Sequence, residues 1–242
     1  MTGSARPART LAQEGTLSML YRAGAVAALA TVAITLFQIV AGVLWPPPDF
    51  APTAAAATHI LEMAQTAPVL TFVKLDGLML FDYVLLAVVY VALYAALRRA
   101  QPSLMALGTV FALMAITLYF AVNPAATALV LAGHYAADGS ATGVVTAMQA
   151  VLAGFQGTGF LVHYLVMGVA GILVGFGMLR SDVFSRGTAI AGILQGAMML
   201  VPVTFGTVGL LFALGSLIPF VVWFILVGTR LLRLAGEDAA VG

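Results

Sequence analysis

Nine of the ten basic residues of this 242-residue chain sit at the ends of long apolar runs, and the same pattern of ends repeats along the sequence. A run of roughly 20 apolar residues is long enough to cross a bilayer as a helix. Inside hydrocarbon the backbone must satisfy its own N–H and C=O groups, which leaves helices and closed barrels as the spanning structures. The apolar segments are 21–45, 68–97, 103–122, 155–179, 188–208 and 210–232. The last two form one continuous run. A single helix of that length would overshoot a bilayer core about 30 Å thick. Gly and Thr residues at 204–209 supply the turn signal that divides it.

The arginines give the orientation. Arg6, Arg9 and Arg22 precede the first segment, and Arg98 and Arg99 join the second to the third. Arg180 and Arg186 join the fourth to the fifth, and Arg230 and Arg233 follow the sixth. The connections 46–67 and 123–154 and the turn near 207 contain no Lys or Arg. Basic residues gather on the cytoplasmic side, so both termini are expected there. The fold class expected is all-α, a polytopic bundle of six transmembrane helices. Its expected divisions are a cytoplasmic tail at 1–18, a membrane domain at 19–235 and a cytoplasmic tail at 236–242.

Composition agrees. The chain is 62% hydrophobic and 8% charged, whereas a soluble domain carries about a quarter charged residues. Ala, Gly, Val and Leu dominate, in place of the short alternating segments of a barrel. A net charge of +1 with no dense basic cluster gives no reason to expect a nucleic-acid partner. Without cysteine there is no disulfide, thiolate metal site or thiol nucleophile. The first segment ends on Trp45 and three prolines rather than on a cleavage signal, so it reads as a retained span. Nine Arg against one Lys, with abundant Ala and Gly, points to a GC-rich bacterial genome and so to the bacterial inner membrane.

The outer connections carry their own helical signals. Pro46, Pro47 and Pro48 stop the first span. Beyond them Ala57, Ile60, Leu61 and Ala64 form an apolar face, with Thr53 or Thr58 as the cap and with His59 and Glu62 off that face. A short helix lying on the outer surface is expected there. The pieces 125–132 and 141–153, on either side of His134, are too short to span and read as interfacial helices or a broken end of the third span.

Depth follows from a rise of about 1.5 Å per residue. Asp82, His163 and Gln38 each lie about 24–25 Å from the arginine that ends their span. Tyr119, Thr204 and Ser216 fall near the same level, while Lys74 and Asp76 lie one to two turns further out. An acidic side chain at depth costs about 2.5–3.5 kcal/mol on insertion scales and should face the bundle. The expected site is an outward-facing polar pocket with an Asp82–His163 contact at its floor, direct or through water. Lys74 and Asp76 would stand at its mouth, Gln38, Tyr119 and Thr204 would line it, and Tyr83 would add a hydrogen bond. The plainer reading is that Lys74 reaches to the interface and the others bind helix to helix.

Other chemistry is sparsely supplied. His59, Glu62, His134 and His163 are the residues from which an outer-face zinc site would be assembled, although no HExxH pattern occurs. One intramembrane histidine is too few for a bis-histidine haem, and Lys74 is misplaced for a retinal Schiff base. No P-loop, GxSxG or dinucleotide fingerprint is present. No cofactor is expected otherwise. Gly171 with Gly175, and Gly192 with Gly196, give small-residue faces for helix packing or for a homo-oligomer contact.

Four stretches carry a likeness. They are Tyr21-Arg22-Ala23-Gly24, the run from Leu93 to Arg99, Tyr119-Phe120-Ala121-Val122-Asn123-Pro124, and the run from Met178 to Arg186. Together they resemble a group of six-helix bacterial integral membrane proteins classed as a domain of unknown function. The resemblance covers about 20–235 and implies a topology but no reaction. The functional expectation is a protein that binds a small molecule or lipid within the bilayer, in a transporter-like or accessory role. The alternatives are a metal-dependent membrane enzyme using the outer histidines and a structural subunit that docks a partner protein.

Overall fold

The computed structural model describes residues 8–138, 141–201 and 206–241, and among them there is helix and no strand. The helices are α1 (Ala8–Leu44), α2 (Ala54–Thr66), α3 (Pro68–Lys74), α4 (Gly77–Leu97), α5 (Pro102–Val122), α6 (Ala125–Asp138), α7 (Ala141–Phe155), α8 (Thr158–Leu179), α9 (Arg186–Met199) and α10 (Gly206–Val241). Among the described residues, five stretches are long and apolar enough to cross a membrane: Leu17–Leu44, Gly77–Leu97, Pro102–Ala137, Thr142–Leu179 and Gly206–Glu237. The protein is a multi-pass helical bundle.

Two layers make up the bundle. In the first, α1 packs on α4, α4 on α5, α5 on α8, α8 on α9, α9 on α10 and α10 back on α1. This is a closed ring of six helices in which α9, only 14 residues long, holds a full place. In the second, α2, α3, α6 and α7 pack on one another around Ile60, Leu61, Ala128, Met148 and Leu152. This cap has its own apolar core and joins the ring through α3 and α7. The expected face of α2 is buried as read, and Thr53 is its cap, accepting from Ala56 N–H at 3.2 Å.

The remaining differences have physical causes. The second apolar run is not one helix: Asp76 adopts φ 58° and separates α3 from α4. The expected N-terminal and C-terminal tails are largely helix, since α1 begins at Ala8 and α10 continues to Val241. The long final run is divided, as its length required, but α9, in the fifth expected span, ends at Met199, well before Val208. Gly206, with φ 64°, opens α10.

Large apolar side chains cover the outside of the ring. Leu36 and Val43 on α1, Val84 on α4, Ile190 on α9, and Leu211 and Ile218 on α10 are exposed. Water would penalise such a belt, but hydrocarbon solvates it. Hydrophobic burial therefore cannot hold these helices together inside a bilayer, and close backbone approach takes over. Glycine provides it along the seam of α8 and α9. A Cβ at Gly196 would come within 2.5 Å of the Gly168 carbonyl oxygen, and one at Gly175 within 3.0 Å of the Ala189 carbonyl oxygen. Gly171 faces the Gly192–Gly196 stretch of the same partner helix. The four glycines named as a small-residue contact are buried within the single chain: Gly171 against Gly192 and Gly196, Gly175 against Ala189 and Ile193, Gly192 against the Trp223 indole, and Gly196 against Gly168 and Ile172.

Gly196→Val is expected to force this seam apart and lower stability by about 1–3 kcal/mol, the usual cost of overpacking. Gly42→Ala, on an exposed face of α1 with nothing within 4 Å of the added methyl, is expected to be neutral or slightly stabilising. Thermal unfolding of both variants in one detergent measures the contrast.

Candidate functional site

The α4 helix turns Met79, Asp82, Leu86 and Tyr90 toward the ring interior, and α10 turns Ala213, Ser216, Phe220 and Phe224 toward it. Both sets follow the three-and-four spacing of a single helix face. Between them lies a cavity of about 190 Å³. Five of the six ring helices each bring a polar side chain to it: Thr35 from α1, Asp82 from α4, Tyr164 from α8, Gln195 from α9 and Ser216 from α10. Among the described residues no Lys, Arg or His lines it.

Asp82 is 2% exposed. The Thr31 hydroxyl is close enough to interact with its carboxyl group, although Thr31 Oγ1 and Asp82 Oδ1 make no well-formed hydrogen bond among the described residues. Ser216 Oγ donates back to the Ala213 carbonyl at 2.7 Å, the usual use of a serine within an apolar helix.

His163 stands beside this cavity, in a separate and fully paired network. Its Nδ1 lies 2.9 Å from the Ala115 carbonyl oxygen and its Nε2 lies 2.8 Å from the Tyr83 hydroxyl. A carbonyl only accepts, so the ring proton is on Nδ1, and Tyr83 O–H donates to Nε2. Both ring nitrogens are occupied, and the expected direct Asp82–His163 contact does not form. Tyr83 stacks on Tyr119, with centroids 4.0 Å apart and planes 10° from parallel. The Tyr119 hydroxyl accepts from Asn123 Nδ2 at 3.1 Å. Tyr83 belongs to both groups, lining the cavity with its ring and binding His163 with its hydroxyl.

Asn123 connects this network to the break between α3 and α4. Its Nδ2 also donates to the Asp76 carbonyl oxygen at 3.2 Å, and its Oδ1 accepts from Ala125 N–H at 3.0 Å. From α1, Gln38 Nε2 donates to Asp76 Oδ1 at 3.1 Å and reaches the Val73 carbonyl oxygen at 3.4 Å. Asp76 lies just outside the span Gly77–Leu97, and burial pushes its carboxyl up to about 6 against the pull of the Gln38 hydrogen bond. Lys74 shares a cleft of about 60 Å³ with Asp76, Gln38 and Trp45. Lys74, Asp76, Gln38, Tyr119 and His163 therefore do not line the Asp82 cavity. Thr204 lies outside the described residues.

The outer histidines remain apart. His59, Glu62 and His134 are exposed on the cap, whereas His163 is buried in the ring with both nitrogens engaged. Among the described residues no three His, Asp or Glu side chains converge on a point that would hold a metal ion. Thr35, Tyr164 and Gln195 were not anticipated as a set. Thr35 lies three residues before Gln38, so the two point near the same face, and Gln195 is the one side-chain amide in α9. Those signals were present, but which helices are neighbours was not. No family model, curated protein or solved structure matches the chain.

The Asp76 junction makes a testable demand on side-chain type. A left-handed residue other than glycine is best tolerated as Asn or Asp. Because burial raises the folded-state carboxyl above its ordinary 3.8, its contribution to stability is present below about pH 4 and is lost as pH rises through about 6. Asp76→Asn keeps the acceptor for Gln38 and the backbone tolerance, and is expected to raise the unfolding midpoint at pH 7.5 and remove that part of the pH dependence. Asp76→Val is expected to cost about 1–3 kcal/mol. Unfolding midpoints of the three proteins between pH 4 and 8 measure both effects.

Proposed function

We propose that this chain is a bacterial inner-membrane protein of six crossings with both termini in the cytoplasm, whose Asp82 chamber opens outward and binds a small ligand. Its role would be transporter-like or accessory. The observation that carries this reading is a buried carboxylate with an unpartnered oxygen, set on a cavity to which five helices each bring one polar group. Polar side chains that serve only to hold helices together are expected to satisfy one another, as Tyr83, His163, Tyr119 and Asn123 do. The Asp82 group leaves its capacity open to an occupant. A binding site with mostly apolar walls and a few placed polar groups has this form.

For the sixth crossing, α9 is the element in question. Its 14 residues rise about 21 Å, short of a full core of about 30 Å. Its exposed Ile190 and Leu194 and its place in the ring support counting it as a crossing.

A chain without cysteine is suited to single-cysteine labelling. In intact cells, a membrane-impermeant thiol reagent added outside is expected to label His59→Cys on the cap and Ser216→Cys or Gln195→Cys in the chamber. Arg99→Cys and Ser181→Cys are expected to stay unlabelled until the membrane is opened. Chamber positions that remain unlabelled from both sides would mean a dry, sealed polar layer and would remove the ligand-binding reading. Labelling of Arg99→Cys from outside would reverse the topology.

A further inference from the structure

We propose that the occupant of the Asp82 chamber is a small organic cation, a protonated amine carrying one ring or a short apolar chain; this rests on the chamber being a ligand site. Three independent features lead there. The first is charge. Among the described residues Asp82 is the one carboxylate on the cavity, and no basic side chain lines it. The Asp82 carboxylate therefore has no cation beside it on the cavity wall, and an ammonium group in the cavity would supply that charge. An anionic ligand would meet a like charge with nothing to offset it.

The second feature is the wall. Tyr90, Phe220 and Phe224 present aromatic rings to the cavity, with Met79, Met167 and Met199 filling between them. Aromatic faces attract ammonium groups, and thioethers adapt to irregular apolar shapes. Simple metal cations would be poorly served, since they require several converging oxygens at short range. The Gln195 amide and the Tyr164 side chain stand on the cavity wall, placed to take further N–H or O–H groups of the ligand.

The third feature is size. A cavity of about 150 Å³ accommodates benzene, and this one is about 190 Å³. One ring plus an ammonium-bearing carbon fits, and a phospholipid headgroup with its glycerol does not. Ligands of this class do not need the paired histidine network, which already satisfies itself beside the chamber.

Three probes of nearly equal shape separate charge from fit: benzylammonium, benzyl alcohol and benzoate. Each is titrated calorimetrically into the full chain in lipid nanodiscs, with empty nanodiscs subtracted. The expected result is saturable binding of one benzylammonium per chain, benzyl alcohol at least about tenfold weaker, and no benzoate. Asp82→Asn is expected to weaken benzylammonium by about 10- to 100-fold, the range of a lost charged hydrogen bond, while leaving benzyl alcohol unchanged. Equal affinity for the ammonium and the alcohol, or a preference for benzoate, would overturn the cation assignment and leave the ligand chamber standing. Binding of none of the three overturns the cation assignment as well. The chamber reading falls with it only where Ser216→Cys and Gln195→Cys also resist labelling. The wild-type series decides the matter even where Asp82→Asn fails to fold.

Discussion

The structure depends on the way the second apolar run is broken at Asp76. A left-handed residue ends α3 and starts α4, and its polar groups are held from both sides. Gln38 on α1 binds the carboxylate, and Asn123 at the end of α5 binds the backbone carbonyl. One junction thereby fastens three ring helices at the level where the cap begins. It frees α3 to pack with α2 and α6 and starts α4 at the register that directs Asp82 inward. The buried backbone of a broken helix has to find partners, and the side-chain amides of Gln38 and Asn123 provide them.

Two groups of interior polar residues contrast with each other, while among the described residues Trp223 Nε1 and Thr109 Oγ1 are buried without a partner outside both. The Asn123–Tyr119 pair and the Tyr83–His163–Ala115 chain are paired and stacked, and they fix the positions of α4, α5 and α8. Asp82, Thr35, Tyr164 and Gln195 surround a space instead. The contrast matters because a low-dielectric interior makes every unpaired polar group costly. The paired set contributes rigidity, whereas the open set borders a cavity. Tyr83 touches both and so ties the shape of the chamber to the paired network.

Much of the helical layout was legible in the chain. Run length gave the long helices, proline and glycine gave their ends, and the face of α2 with Thr53 as its cap was readable from spacing. The depth estimate brought Asp82 and Ser216 to one level, and both do line the cavity. It also brought Gln38, Tyr119 and His163 to that level, and these turn elsewhere, since equal height says nothing about direction around a helix axis. The break at Asp76 was not legible, because an acidic residue in an apolar run looks the same whether its backbone is helical or left-handed.

The sequence by itself determined that the chain is helical and apolar in long runs, since hydrophobic length and proline placement are local properties. It also determined the small-residue faces of α8 and α9. Tertiary structure decided the cyclic order of the six ring helices, and with it the pairing of Gly168 and Gly171 with Gly196. It decided too that His163 belongs to Tyr83 and Ala115 while Asp82 faces open space. These are outcomes of which helices become neighbours and how each is rotated, and helix packing sets them through contacts between residues far apart in the chain.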